Sequence, residues 1–400
     1  MNLTFLPALP FELSYPLLFG ALLLAGMLGG EIARAIRLPR ILGYVAVGFA
    51  AAPLAEAMNV APLLESARIF VDLALGLVLF DLGRRMDLQW MRRDWTLAAA
   101  GLAESLLTFA AVFAVLIAFD YTAVVAGITA SIAMATSPAV VLLVVQDAKA
   151  EGQVTQRALN LVALNSLFAS ILTTILLTSA HLESRKADVE NAVLHPAYLF
   201  AGSLLLGWLV ASGSRLIARV VQKTRDLHFT LIVGMVFGAV GLAVLLKFSV
   251  ILSLLAFGLF TRNDARNFDL LNVDLEPASR PLYIVLFVIT GASLPLPVLA
   301  TAGVVGLALA GARVVGKFAG VLSFSTIGGL RPRQSVGLAC ALLPMSTLAL
   351  MLHHEVARQF PAFGEQVGAA FLAMVIVMEI IGPVAVQFGL ALAGETLKEE

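Results

Sequence analysis

Charge and cysteine are both scarce in this chain of 400 residues. Only 13% of the residues are charged, whereas 60% are hydrophobic and the mean hydropathy is +0.96. Such a composition excludes an ordinary soluble globular protein. The 26 basic residues balance the 26 acidic ones, so no basic surplus indicates nucleic acid as a partner. The single cysteine, Cys340, excludes an internal disulfide and a cysteine-based metal site.

Histidine is also rare, with five residues in the chain. The run His353-His354-Glu355 lacks the His-Glu-x-x-His spacing that places two zinc ligands on one helix face. Paired catalytic aspartates at facing positions of membrane helices are missing as well. We therefore expect neither an enzyme nor a metal or other cofactor.

Long apolar runs fill the rest of the sequence, and they predict an all-α polytopic membrane protein. We count about thirteen transmembrane helices, with boundaries good to a few residues. The predicted spans cover residues 11–30, 41–57, 66–83, 95–118, 121–146, 157–180, 197–221, 228–246, 248–261, 280–294, 298–326, 334–354 and 368–392.

Lysine and arginine are distributed unevenly between the predicted loops. With the N-terminus outside, the cytoplasmic loops and the C-terminal end hold 19 of the 26 basic residues. The positive-inside rule therefore predicts an outer N-terminus and a cytoplasmic C-terminus, in a multi-pass protein of the cell membrane. These 19 residues are Arg34, Arg37, Arg40, Arg84, Arg85, Arg92, Arg93, Lys149, Arg157, Arg215, Arg219, Lys223, Arg225, Arg262, Arg266, Arg280, Arg331, Arg333 and Lys398.

Two of the apolar runs are interrupted at their middle. One break is Ala135-Thr136-Ser137-Pro138 and the other is Pro344-Met345-Ser346-Thr347. In lipid every backbone N–H and C=O must be paired within the protein, so a broken membrane helix is costly unless it lines a site. Corresponding breaks in two halves of a chain indicate the binding site of a secondary transporter.

The chain is also duplicated. A shift of about 206–210 residues carries five spans of the first half onto five of the second, and Pro138 onto Pro344. It also aligns Gly48 with Gly258. Because an odd seventh span separates the copies, the second copy is inverted in the membrane. We expect two inverted repeats whose discontinuous helices cross.

Polar residues of several spans fall at one depth, about 12–18 Å from the cytoplasmic face at the rise of an α-helix. We expect the following residues to bind an ion or substrate: Thr136, Ser137, Asn165, Ser166, Ser346 and Thr347. The hydroxyl groups could instead satisfy backbone groups freed by the prolines. Asn165 and Ser166 could serve as hydrogen-bonding glue between helices.

Two basic residues, Arg313 and Lys317, lie within one predicted span, four residues apart and therefore on one helix face. A buried charge within a membrane is a functional hypothesis by default, although these two could merely hold helices together. The candidate counter-ions are Glu104, which the repeat shift places opposite Arg313, and Glu379. We expect all four to take part in charge compensation or proton coupling.

Several motifs together resemble the cation:proton antiporter superfamily, which includes sodium/proton exchangers and Kef-like membrane domains. Leu38 to Tyr44 with Gly48 is similar to its second-helix signature, and Leu77 to Leu88, with Asp81 and Asp87, to its third-helix motif. Ala135 to Val141 resembles its unwound fifth helix. Gly316-Lys317, Gly337-Leu338 and Pro344-Met345 resemble its last third.

This resemblance implies an elevator-type exchanger that forms a homodimer in the lipid bilayer and binds monovalent cations and protons in turn. It implies dimerisation and scaffold helices in residues 1–94 and 228–297, a linker helix in 181–227, and core helices in 95–180 and 298–400. Relatives usually carry an acidic residue where this chain has Ser166, and another where it has Ser137. The chain is therefore a divergent member that lacks the usual sixth-helix aspartate.

Serine and asparagine do not titrate, so an exchanger needs another acid to bind cation and proton in turn. Glu104 or Glu379 could replace the lost aspartate, with Lys317 as internal counter-ion or itself as the proton carrier. The favoured function is secondary transport, Na⁺ or K⁺ in exchange for protons. Carriage of an anion or small solute, or a non-transporting sensor or partner subunit on the same scaffold, remain the alternatives.

Overall fold

The computed structural model describes residues 15–57, 68–86, 88–184, 189–221, 224–263, 276–294 and 297–396. Within these residues all regular structure is helical. The helices are α1 (Tyr15–Ala35), α2 (Arg40–Ala57), α3 (Arg68–Arg85), α4 (Leu88–Arg93), α5 (Trp95–Ala118), α6 (Ala123–Ala133), α7 (Pro138–Asp147), α8 (Gln153–Ser184), α9 (Val189–Val220), α10 (Arg225–Leu245), α11 (Val250–Asn263), α12 (Glu276–Ser293), α13 (Val298–Ser325), α14 (Pro332–Ala341), α15 (Thr347–Gln359) and α16 (Pro361–Ala393).

The predicted all-helical membrane protein is confirmed. Eight stretches of the described residues are long and apolar enough to cross a membrane, counting α6 and α7 together, and α2, α11 and α12 contain shorter apolar stretches. The number of thirteen passes stays a prediction. Some residues of the sequence argument lie outside the described ones, namely Asp87, Lys223, Arg266 and Lys398.

Both predicted breaks are present as unwound segments. The chain leaves helical structure between α6 and α7, and again between α14 and α15. Pro138 is the first residue of α7, where its missing N–H costs nothing because that N–H has no partner within the helix. Pro344 instead lies within the second unwound segment, three residues before α15 begins. The two breaks correspond without being identical.

The inverted repeat is reflected in two equivalent contacts between helices, each of which depends on a glycine. α2 packs on α12, and its repeat counterpart α11 packs on α3. A Cβ on Gly48 would lie 2.8 Å from the backbone nitrogen of Ala292, and one on Gly258 would lie 2.6 Å from that of Arg84. Helices therefore cross at backbone contact in both places. The alignment of Gly48 with Gly258 corresponds to two equivalent packing sites.

The helices pack in two sets. The first set consists of α1–α3 and α9–α12, and the second set consists of α5–α8 and α13–α16. Within the second set α5 crosses α13 closely, because Gly316 and Gly320 of α13 face the backbone of Thr108 and Glu104. Both broken helices belong to the second set. The assignment of these sets to a scaffold and a moving core stays a prediction.

Because α11 and α3 cross closely, we expect one added methyl group at their contact to lower the stability of the protein strongly. Gly258→Ala forces the two backbones apart, so we expect a loss of about 1–3 kcal/mol of unfolding free energy. Thermal melting in detergent measures it. Gly238→Ala is the matched control, since a Cβ on Gly238 would have no neighbouring atom within 4 Å. Equal melting temperatures for the two variants would contradict the backbone contact.

Candidate functional site

The two unwound segments touch each other directly. The backbone N–H of Ser137 donates to the carbonyl oxygen of Pro344 over 2.9 Å, and the Thr136 hydroxyl donates to the carbonyl oxygen of Leu342 over 2.8 Å. The Ser137 hydroxyl donates to the Ser346 hydroxyl oxygen over 3.2 Å. All of these groups are buried. Residues about 206–210 positions apart in sequence, as the repeat requires, thus meet at one crossing.

Asn165 of α8 holds the first unwound segment through its amide. Its Oδ1 accepts from the backbone N–H of Thr136 over 3.2 Å, and its Nδ2 donates to Thr136 Oγ1 over 2.9 Å. Both ends of the amide are therefore used within the protein. The neighbouring Ser166 donates to the carbonyl oxygen of Val162 in its own helix, so it takes no direct part in the crossing.

Lys317 of α13 is fully buried and has three partners. Its Nζ donates to the carbonyl oxygen of Met134 over 2.6 Å and to Thr136 Oγ1 over 3.1 Å. It also forms an ion pair with Glu104 of α5, which is fully buried too. The close packing of Gly320 on the Glu104 backbone brings these two helices near enough for the pair. The repeat shift placed Glu104 opposite Arg313, but its charged partner is Lys317.

Arg313 joins the two breaks through main-chain carbonyls. Its Nε donates to Ala133 O over 2.9 Å and its Nη2 to Ala135 O over 2.8 Å, at the end of α6. On the other side, Nη1 donates to Leu343 O over 2.5 Å and Nη2 to Pro344 O over 3.3 Å. These carbonyls lie at or just beyond the C-termini of α6 and α14, where the macrodipole is negative. A guanidinium thus compensates both helix ends at once.

Glu379 of α16 is a buried acid with no basic partner among the described residues. The residue is 1% exposed. Its helix packs on the second break, because a Cβ on Gly382 would lie 2.6 Å from Pro344 Cα. The Ser346 side chain is the polar neighbour that interacts with the carboxylate. Ser346 also contacts the hydroxyl of Thr347 over 3.2 Å.

The crossing therefore contains two kinds of environment. Around Thr136, cationic groups, carbonyls and one carboxylate satisfy one another. Around Ser346, hydroxyl groups at long hydrogen-bond distances lie beside a carboxylate with no basic partner among the described residues. Burying a charge is costly unless it is paired, so a proton or a cation bound to Glu379 would lower that cost. No cluster of three or more His, Cys, Asp or Glu residues in the described parts of the chain could hold a metal ion.

The main-chain ligands of Arg313 and Lys317 were not identified from the sequence. The signal for them was present, since a broken helix leaves its last carbonyls unpaired. The sequence does not show which carbonyl groups each of the two side chains can contact. An arginine with several donors in a fixed fork can bind several carbonyls at once, whereas a lysine acts as a point charge.

The clamp formed by Arg313 predicts a large loss of stability on its removal. Arg313→Met leaves four buried carbonyls without this donor, so we expect a loss of at least about 3 kcal/mol of unfolding free energy. Arg313→Lys should recover only part of the loss, because one ammonium does not span both breaks. Melting in detergent measures both. Arg358→Met is the control, since Arg358 pairs only near the surface with Glu355; an equal effect at both positions would contradict the clamp.

Comparison with known proteins shows which protein family the chain belongs to. No curated protein sequence matches it. Its fold is similar to that of the sodium proton antiporter MjNhaP1 from Methanocaldococcus jannaschii at pH 8, with a TM-score of 0.68 and 18% identity over 96% of this chain and 99% of that one. A second structure of that antiporter, from an electron-microscopy map, gives 0.73 and 16% over 98% and 99%. The family model "Sodium/hydrogen exchanger, transmembrane" matches residues 19–391. The chain belongs to the sodium/hydrogen exchanger family.

Proposed function

We propose that this protein exchanges a monovalent cation, Na⁺ or K⁺, for protons across a membrane, and that Glu379 binds the two in turn. The family supports cation:proton antiport, and the similar archaeal protein is a sodium proton antiporter. The observation that carries the assignment to Glu379 is its buried carboxylate, which has no basic partner among the described residues and lies beside Ser346 and the second helix break.

Exchange requires one group whose occupancy by proton and by cation is mutually exclusive. Glu104 suits this role poorly, because Lys317 already forms an ion pair with it. Asn165 and Ser166 do not titrate near neutral pH. Glu379 is free to bind either species, and a protonated carboxyl group has lost the charge that attracts a cation.

In this proposal a chain of hydroxyl oxygens that begins at Ser346, next to Glu379, completes the cation site. Ser346, Thr347 and Ser137 form a chain of hydroxyl groups with 3.2 Å separations. Hydroxyl and carboxylate oxygens are hard ligands, which alkali cations prefer to nitrogen or sulfur. A cation between Ser346 and Glu379 would replace these long hydrogen bonds and compensate the carboxylate charge.

In this proposal Arg313 and Lys317 stabilise the crossing of the two unwound segments. Arg313 and Lys317 compensate the C-termini of α6 and α14, so the transported ion is not needed to neutralise them. Glu104 balances one of the two cations. We further propose that the second helix set moves as a unit past the first in an elevator motion. The homodimer, the cell membrane and the outer N-terminus belong to the same proposal.

The first test is Glu379→Gln in proteoliposomes. We expect proton flux driven by Na⁺ or K⁺ gradients to fall at least tenfold, because glutamine neither titrates nor carries charge. The melting temperature should change little, since glutamine has nearly the same volume and keeps a polar group beside Ser346. Glu379→Asp should retain flux with a displaced pH optimum.

Glu104→Gln is the contrasting variant. It leaves the buried Lys317 ammonium without its acid, so we expect reduced stability. Flux per folded molecule should keep its dependence on pH. Loss of flux in Glu104→Gln together with normal flux in Glu379→Gln would assign the proton to Glu104 and overturn the proposal. Flux that depends on an anion alone, or no flux over all cations and pH values, would favour the solute-carrier or non-transporting alternatives.

A further inference from the structure

An acid lies at the unfavourable end of one half-helix. Asp147 is the last residue of α7, where a negative charge opposes the helix macrodipole. Its Oδ1 accepts a hydrogen bond from Arg40 Nη1 over 3.3 Å and lies 3.8 Å from Arg280 Nη2. Two arginines from other helices thus compensate a charge that α7 alone would disfavour.

These arginines belong to the first helix set, whereas α7 belongs to the second. Arg40 begins α2 and Arg280 lies on α12. Arg40 Nη2 also pairs with Glu31 Oε1 of α1 over 2.9 Å. We name Glu31, Arg40, Asp147 and Arg280 the interset cluster. It fastens the end of a broken helix to three helices of the other set.

The inverted repeat does not reproduce this cluster. A shift of about 208–210 residues carries Arg40 onto Val250, Arg280 onto Asp72 and Asp147 onto Glu355. Neither equivalent position carries a basic residue, since Val250 is apolar and Asp72 is acidic. Glu355 pairs with Arg358 of its own helix over 2.7 Å. Among the described residues, an ion cluster of this composition is therefore found at one of the two equivalent positions and not at the other.

The exposure of the cluster suits a contact that breaks. The side chains of Arg40 and Asp147 are 20% and 19% exposed, and that of Arg280 is 44% exposed. Water and salt weaken ion pairs at such positions, so each pair contributes little to stability. The Lys317–Glu104 pair differs in both respects, since it is fully buried and lies within one helix set.

We propose that the interset cluster is a latch that favours the conformation described here and opens when the second set moves. The inference rests on the proposed transport function, because alternating access requires the sets to move. In a perfect inverted repeat the two end states would be related by the two-fold rotation that exchanges the repeats, and they would be equal in free energy. A cluster present in one repeat only removes that equality.

Distances between the sets test the latch without any transport assay. Spin labels at Ala35→Cys on α1 and Gln153→Cys on α8, in a Cys340→Ala background, place one exposed label on each set. Double electron–electron resonance in nanodiscs then gives the populations of the two arrangements. We expect Asp147→Asn and Arg40→Gln to raise the minor population relative to the major one by roughly two- to five-fold, as high salt should do.

Glu355→Gln is the matched control, since it neutralises the repeat counterpart of Asp147 at the other end of the molecule. It should leave the distances unchanged. Distributions that are identical in the parent, Asp147→Asn and Arg40→Gln proteins, at unchanged melting temperature, would overturn the latch. A population shift in a protein that shows no cation-dependent proton flux would uphold the latch and refute the proposed function.

Discussion

Unpaired carbonyl groups at two broken helices are the constraint on which the structure depends. Each break leaves the last carbonyls of a half-helix without partners in a region that lipid surrounds. Arg313 and Lys317 donate to carbonyls at the end of α6, and Arg313 also donates to carbonyls just beyond the end of α14. The surrounding glycine contacts, the position of Glu104 and the amide of Asn165 all serve to hold these two cations in place.

This arrangement separates the support of the crossing from the binding of an ion. The cations that satisfy the helix ends are covalent parts of the chain, so the crossing is complete without a bound ion. In the proposed function the charge at the ion site comes from Glu379, which has no basic partner among the described residues. The strongly coupled groups then have a structural role, and Glu379 is the group that exchanges its proton for a cation.

Most of the fold followed from physical rules that act locally. Apolar length predicted the helices, and the cost of breaking a membrane helix predicted that Thr136 and Ser346 approach the same point. The repeat shift predicted the equivalence of Gly48 and Gly258, which the packing shows. These features depend on sequence distance or on residue type alone, and both can be read from the chain.

The partners of individual side chains could not be predicted in the same way. Lys317 and Arg313 are one helical turn apart, and which of them meets Glu104 depends on how α5 crosses α13. That crossing is fixed by Gly316 and Gly320, because a Cβ on Gly316 would lie 2.5 Å from Thr108 Cα and one on Gly320 would meet the backbone of Glu104. The position of Glu379 beside Ser346 likewise depends on how α16 packs on the second break, which no periodicity encodes.

The placement of Asn165 bears on where an ion-binding group can lie in such a fold. Its amide both donates to and accepts from Thr136, so the first break is held without an ionisable side chain at that position. The proposed carboxylate lies instead on the last helix, beside the break of the other repeat. A duplicated architecture thus contains two sheltered positions, one next to each break. In the proposed function the ion binds at the second of them, while the first supports the crossing.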